Sequence, residues 1–328
     1  MTAPRVTVAI PTYNHAEFLG GAIESVRRQT FEDLEILVLD NASTDATPEV
    51  VRRHACDRLR YVRNPENLGY NGNQNRALEL ARGELIVYIG ADDLLDGPFL
   101  EKAVACLDGD PSQSFVHGAA LWIDEQGVPF GDSGNGWDPV TPGPEAFLSC
   151  LRHGFCLSTM VMRVALVRSV GGLDPRWGDI ADGFLFLRLC LAGRVGYLSD
   201  PLVRYRVHDR TLTAAFYRDG SGFGRHLSLV RAAFELPEAR AQGLGPRQRA
   251  GLRSVVAEYV RMAHVTRIGG TRAAFLASLR RLLRETPELW LAPSTWARLG
   301  LGMLPVPWIL ALRHHRRRRR TGSSRSRR

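Results

Sequence analysis

The chain has 328 residues, 45% hydrophobic and 23% charged, which excludes a disordered or fibrous polymer and fits one large domain or two ordinary ones. Its net charge of +9 is unevenly spread: residues 1–220 are acidic in sum, residues 221–312 are basic, and residues 313–328 hold nine arginines and no acid. An acidic first two-thirds repels a phosphate backbone, so nucleic acid is not the expected partner despite the basic total.

The opening residues, MTAPRVTVAIPTYN, carry no charged segment followed by an apolar run, so no signal peptide is expected and a cytoplasmic protein is. Val6–Ile10, Glu35–Leu39, Arg60–Val62 and Leu85–Ile89 read as strands, mostly continuous in β-branched residues and Leu, as a sheet covered on both faces requires. Between them, Leu19, Ile23 and Val26 recur at helical spacing, and Thr47-Pro48 makes a helix start with Pro in the first turn. The run Asn73–Arg82 predicts a third helix, closed by Gly83 at its C-cap. The Gly/Pro-rich stretch Gly127–Pro144 predicts a long loop. After it come a helix ending near Arg152, a strand near Ser158–Arg163, a Gly171-Gly172 turn, a helix beginning near Asp182, and short strands near Val195–Leu198 and Leu202–Val207. From about residue 221 the pattern is helical and Arg-rich. Five scattered cysteines without a CxxC pair read as reduced thiols, mostly buried, rather than disulfides or a zinc site.

Strand–helix alternation implies a mainly parallel α/β sheet, whose ligands bind beyond the carboxyl ends of the strands. The residues there are Pro11-Thr12-Tyr13-Asn14, Asp40-Asn41-Ala42-Ser43-Thr44-Asp45 and Gly90-Ala91-Asp92-Asp93. Each segment alone is ordinary turn and capping chemistry. All three on one edge, two bearing acids directly after buried strands, call for a ligand.

Taken with Asn67-Leu68-Gly69 continuing to Asn75, Gly171-Gly172-Leu173-Asp174, the Asp182 helix and Tyr205-Arg206-Val207-His208, these segments resemble the family 2 glycosyltransferases, in that family's order over about residues 5–213. The resemblance implies the GT-A fold: a Rossmann-like, mostly parallel sheet flanked by helices. It implies a catalytic domain over 1–220, with a donor-binding half to about 118 and an acceptor half from 119. A basic helical region over 221–312 and a disordered Arg-rich tail over 313–328 are expected beyond it.

The implied activity is inverting transfer of a sugar from a nucleotide-diphosphate donor, a UDP-sugar by family frequency, with dTDP and GDP open. Pro11, Thr12, Tyr13, Asn14 and Asp40 would hold the nucleoside, Asp40 by accepting hydrogen bonds; Asn67, Gly69, Asn75 and Ala91 would line the donor site. Asp92 and His208 would bind Mg²⁺ or Mn²⁺, which suits an oxygen-rich site facing a diphosphate. Asp93 is a further acid there, and Arg206 would stabilise phosphate charge. Asp182, at a helix start, would be the general base, with Asp179 as the alternative. Three positions depart from the family: Gly90 replaces the first acid of Asp-x-Asp, Gln74 stands where Arg is common, and Ala181 replaces a Glu. The four asparagines at 67, 71, 73 and 75 read equally as donor contacts or as local loop bonds.

A degenerate sugar-nucleotide-binding subunit would fit Gly90 and Ala181. A sugar-phosphate nucleotidyltransferase would open with a Gly-rich, basic triphosphate loop, which Pro11–Asn14 lacks. Acceptors compatible with the resemblance are a glycan, a lipid-linked glycan, a small metabolite or a peptide. Leu299–Leu312 is apolar but broken by Pro305 and Pro307 and too short to span a bilayer. With Trp290, Trp296 and Trp308 nearby and Arg313 and Arg316–Arg320 beyond it, the segment predicts peripheral docking on the anionic inner face of a membrane.

Overall fold

The structure, a computed structural model, describes residues 3–134, 136–153, 155–208, 222–256 and 284. One sheet holds its ten strands. The first four are β1 (Val6–Thr12), β2 (Leu34–Asp40), β3 (Leu59–Arg63) and β4 (Leu85–Tyr88). They pair in parallel, Thr12 opposite Asp40 and Asp40 opposite Arg63. The rest are β5 (Leu94–Leu95), β6 (Gln113–Ile123), β7 (Pro129–Asp132), β8 (Val140–Thr141), β9 (Val161–Arg163) and β10 (Arg194–Arg206). The order across the sheet is β3-β2-β1-β4-β9-β6-β10-β5, with β7 added beside β6 and β8 beside β10. β9 runs antiparallel between β4 and β6, and β10 lies parallel to β6. Two reversals restore the direction, so β1, β2, β4, β6 and β10 all end on one edge.

β1 and β2 distribute their side chains by the two-residue period of a strand. Val6, Val8, Ile10, Ile36 and Val38 join a core with α1 (Ala16–Arg27), α2 (Thr47–Arg53) and α4 (Phe99–Gly109). Ala9, Leu37 and Leu39 face the other way, toward α3 (Gly69–Leu80), α5 (Gly143–His153) and α7 (Ala181–Ala192). α6 (Val164–Ser169) adds Val164 and Val167 to that second core, and α8 (Gly222–Glu235) adds Leu227, Val230 and Phe234. Both faces are covered, which is why these strands lack polar alternation. α1 buries Leu19, Ala22, Ile23 and Val26, one helical stripe. Asp45 caps the starts of α1 and α2 together: one oxygen accepts from Ala16 N at 2.9 Å, the other from Thr47 N at 3.0 Å.

Several boundaries differ from expectation. α3 starts at Gly69, four residues before Asn73, because Leu68 supplies the cap position and the asparagines of its first turns are bonded inward. Its end, Ala81, is extended, so Gly83 is no C-cap; a Cβ at 83 would lie 2.5 Å from Thr7 N, and glycine is required by close approach to β1. The expected loop Gly127–Pro144 contains β7 and β8, short antiparallel strands. The two strands expected over 195–207 are one, β10, interrupted by a register shift between Leu198 and Val203. All five cysteines are free, with Cys150 and Cys190 buried. No helix among the described residues is long and apolar enough to cross a membrane. The segments Leu299–Leu312 and Arg313–Arg328 lie outside the described residues.

Candidate active site

The edge where the parallel strands end is built from polar side chains that mostly bind one another. Asn14, at φ 55°, accepts from Thr44 N at 2.8 Å, and its own N–H donates to Ser43 Oγ at 2.9 Å. Ala42 also has a positive φ, 63°, a conformation L-residues hold only when neighbours enforce it. Tyr13 projects from this edge and is 44% exposed, while Pro11 is half-buried. Thr12 is buried and its hydroxyl finds no hydrogen-bond partner among the described residues. An orphaned hydroxyl beside an exposed ring suits a ligand group that the protein alone does not supply.

Asp40, expected to meet the nucleoside, is already engaged within the protein. Its side chain is fully buried and already accepts from Ser43 N (2.8 Å), Tyr61 OH (2.6 Å) and Arg63 Nε (3.2 Å). Tyr61 and Arg63 lie two residues apart on β3, and Arg63 sits in register with Asp40, so one face of β3 meets the carboxylate. The two-residue period of β3 is the sequence signal that could have found both partners. Burial and the Asp40 hydrogen bond push the Tyr61 hydroxyl well above its ordinary pKa, keeping it a donor.

The asparagines also turn inward. Asn67 Oδ1 accepts from Asn41 Nδ2 (2.7 Å) and Gly69 N (2.8 Å), with Gly69 at φ 72° opening α3. Asn73 donates to Leu39 O, and Asn71 to Gly178 O. Asn75, expected to line the donor site, has both ends of its amide bonded to the Leu173 backbone. Gln74 is buried with its side-chain oxygen unpartnered among the described residues.

After β4, Ala91 is buried, and Asp92 keeps 17% of its side chain exposed with Oδ2 2.9 Å from the buried His208 Nε2. β10 delivers His208 to this spot because it ends on the same edge as β4. His208 packs against Phe18, 5.5 Å between ring centroids. Asp93 is nearly inaccessible and braces three segments, accepting from Ser158 Oγ (2.5 Å) and Arg206 N (2.9 Å). Burial, then the neighbouring Asp92, raises its pKa well above the carboxylate range. A Cβ at Gly90 would lie 2.7 Å from Asp92 Oδ1, so the acid usual at that position does not fit this arrangement unless Asp92 moves. Arg206, expected to stabilise phosphate charge, is buried: its Nε donates to Asp92 O and its Nη1 to Asp124 O and Glu125 O. It holds the acidic turn from beneath.

No group of three or more metal-ligating side chains occurs among the described residues. The carboxylate of Asp92 and the imidazole of His208, hydrogen-bonded at 2.9 Å, are side chains that would hold a divalent cation. The donor set fits a divalent cation shared with a substrate.

Asp182 stands apart from these saturated groups. It lies in the first turn of α7 and accepts locally, from Gly183 N at 2.8 Å. Burial raises its pKa from 3.8 to about 6 against that bond, and Asp179 adds repulsion. Burial and the Asp182 charge together raise the pKa of Tyr70, and Cys156 responds, after burial, to both Asp93 and Asp182. Cys156 thus lies near both the Asp93 turn and Asp182. Asp179 is ion-paired with Arg225 of α8, which leaves it less suited to accept a proton. Sequence reasoning missed Tyr70, Ser158, Cys156 and Phe18, none of which carries a local signal. A groove of about 960 Å³, lined by Gln113, Arg163, Gly193 and Gln242, lies at the opposite, amino-terminal end of β6, away from these acids.

The chain matches the sequence model described as Glycosyl transferase family 2 over residues 7–163. It is 30% identical over 211 residues to the glycosyltransferase EpsE of Bacillus subtilis, covering 62% of this chain and 74% of that one. The fold superposes on S. aureus TarS 1–349 in complex with UDP-GlcNAc with a TM-score of 0.57 and 18% identity, over 79% of this chain and 81% of that one. It also superposes on the mannosyltransferase PcManGT of Pyrobaculum calidifontis, in complex with GDP-Man and Mn²⁺, with a TM-score of 0.54 and 23% identity, over 94% and 88%.

Proposed function

The chain belongs to the family 2 glycosyltransferases and has their GT-A fold, and from that premise we propose that it transfers a sugar from a UDP-sugar to an acceptor hydroxyl by direct displacement with inversion. The observation that carries this reading is a carboxylate bonded only by local backbone amides among the described residues, Asp182, which shares the neighbour Cys156 with the acidic turn that holds the Asp92–His208 pair. A nucleotide sugar in two solved neighbours supports the donor class. Residues up to about 118 form the donor side and 119–220 the acceptor side.

Tyr13 offers its exposed ring to the base, and Thr12 its spare hydroxyl to the nucleoside. Pro11 and Asn14 fix that edge, while Asp40 orders it without touching the donor. Gly69 and Asn67 shape the start of α3, and Ala91 leaves room beside Asp92. Asp92 and His208 would hold Mg²⁺ or Mn²⁺, which when bound supplies countercharge to the leaving diphosphate. Asp182 takes the acceptor hydroxyl proton as that oxygen bonds to the anomeric carbon and the nucleoside diphosphate departs with the bonding electron pair. A pKa near 6 leaves Asp182 ionised at neutral pH yet basic enough to accept a proton.

The acceptor is a hydroxyl on a glycan, a lipid-linked glycan, a small metabolite or a peptide. The Arg-rich C-terminus supports docking on the cytoplasmic face of an anionic membrane. Incubation with UDP-, GDP- and dTDP-sugars and candidate acceptors, read by nucleoside diphosphate release and anomeric-proton NMR, tests the proposal. The expected product has inverted configuration. Retained configuration overturns the mechanism, and binding without turnover of any donor favours a degenerate binding subunit.

A further inference from the structure

The segment that delivers Asp182 is held by amides from α3. Asn75 Nδ2 donates to Leu173 O at 2.8 Å while Leu173 N donates to Asn75 Oδ1 at 2.9 Å, so one side chain closes a two-point bridge to a residue 98 positions away. One turn earlier on the helix, Asn71 Nδ2 donates to Gly178 O at 2.8 Å. Two glycines are demanded by this contact. Gly172 has φ 64°, and a Cβ there would come within 2.6 Å of Asn75 Oδ1; Gly178 has φ 57° and ψ −130°, which only glycine adopts readily. Between the two attachment points, Asp174 accepts from Arg176 N and stiffens the turn.

The donor-side flank of α3 is tied as firmly. Asn73 donates to Leu39 O, one residue before Asp40, and accepts from Asn64. A continuous set of amide bonds therefore runs from the end of β2, through α3, to the 173–178 segment, four residues short of Asp182. Amides satisfied at both ends, as those of Asn73 and half-buried Asn75 are, have few alternative arrangements, so they set a distance as well as stability, and buried Asn71 adds one bond through its Nδ2.

We propose that Asn75 and Asn71 are positioning residues, which act through the backbone of 173–178 to fix Asp182 relative to the donor edge. This rests on the reading of Asp182 as the base. The bonded distances and the two glycine conformations carry it: apolar packing between the donor-side helix and the base-bearing helix tolerates sliding, and directed amide bonds do not.

The test combines amide hydrogen exchange on the full chain with a double-mutant cycle. In Asn75→Ala, exchange at Leu173 and the start of α7 should rise at least about tenfold while β1, β2 and β4 stay protected. Turnover, measured as nucleoside diphosphate release from the fastest of the UDP-, GDP- and dTDP-sugars, should fall about 10–100-fold with donor KM little changed, as a misplacement of about 1 Å costs. In the Asp182→Asn background, Asn75→Ala should cause no further loss. Asn71→Ala, which removes a single bond, should show the same pattern at smaller size and serves if Asn75→Ala does not fold. Unchanged exchange at 173–183, or an equal fold-loss in both backgrounds, overturns the proposal. Full turnover by Asp182→Asn alone would instead overturn the base assignment, whatever the exchange result.

Discussion

Two carboxylates, the buried Asp40 at the end of β2 and the half-buried Asp182 at the start of α7, stand on the two sides of the site and do opposite things with their charge. Asp40 accepts from a backbone amide, a phenol and a guanidinium, and its negative charge is spent on holding β2, β3 and the Ser43 turn together. Asp182 is bonded only by local backbone amides among the described residues, and burial raises its pKa to about 6. A fully bonded carboxylate is a fastener; an under-bonded one retains the affinity for a proton that general-base chemistry uses. The difference lies in the donors around the acid, and a motif does not record it.

The contrast extends to the whole site. On the donor side, Asn41, Asn64, Asn67 and Asn73 bind one another, and the chemistry left over includes the Thr12 hydroxyl, the Gln74 side-chain oxygen and the Tyr13 ring. Around Asp182 the neighbours are Tyr70, Cys150 and Cys156, poor counterions whose own ionisation the Asp182 charge opposes.

The largest effect expected falls on neither acid. Asp92→Ala should abolish transfer while melting normally, because Asp92 is partly exposed and carries no core packing; normal turnover, or full activity after exhaustive chelation, removes the cation from the account. Asp182→Asn should keep donor binding and lose about 10²–10⁴-fold in turnover, with Asp179→Asn near wild type. The reverse ranking would transfer the base to Asp179. Asp40→Ala should cost on the order of 3 kcal/mol in denaturant melts, since it strands a half-buried phenol and a buried backbone amide and unpairs Arg63. Loss of activity without loss of stability there would mean that Asp40 does meet the donor.

Asp182→Asn should have a smaller and opposite effect on stability. A folded-state pKa raised from 3.8 to about 6 means that the native state favours the protonated acid, so its contribution is full below about pH 4 and is lost as pH rises through 6. A neutral amide removes that cost, and the variant should be more stable than the parent by about 1 kcal/mol at about pH 7.5, the difference shrinking toward about pH 4.5. A less stable variant at neutral pH would show Asp182 to be a fastener too. The smallest effect concerns the tail: a chain ending at Leu312 should lose co-sedimentation with anionic vesicles while retaining its turnover, and equal sedimentation of both forms would deny the arginines that role.

The strand ends were legible because buried parallel strands are written as apolar runs, and the residues just past each run must lie on one edge. His208 obeys the same logic, since β10 ends beside β4. β6, eleven residues at the centre of the sheet, was not legible because Ser114, His117 and Gly118 break its apolar run although all are buried. α4 was likewise not anticipated. The directions of the asparagine amides could not be read at all, since Asn75 meets Leu173 across 98 residues and each amide serves equally well in a loop. Bonding partners decide whether a polar residue fastens or reacts, and they are tertiary facts.

The pH dependence of kcat/KM tests the assignment of Asp182 most directly. The wild-type enzyme should gain activity with rising pH along a limb whose apparent pKa is near 6, and the residual turnover of Asp182→Asn should lack that limb. The same limb in both proteins, or a wild-type profile that stays flat from about pH 4.5 to about pH 8, would contradict it.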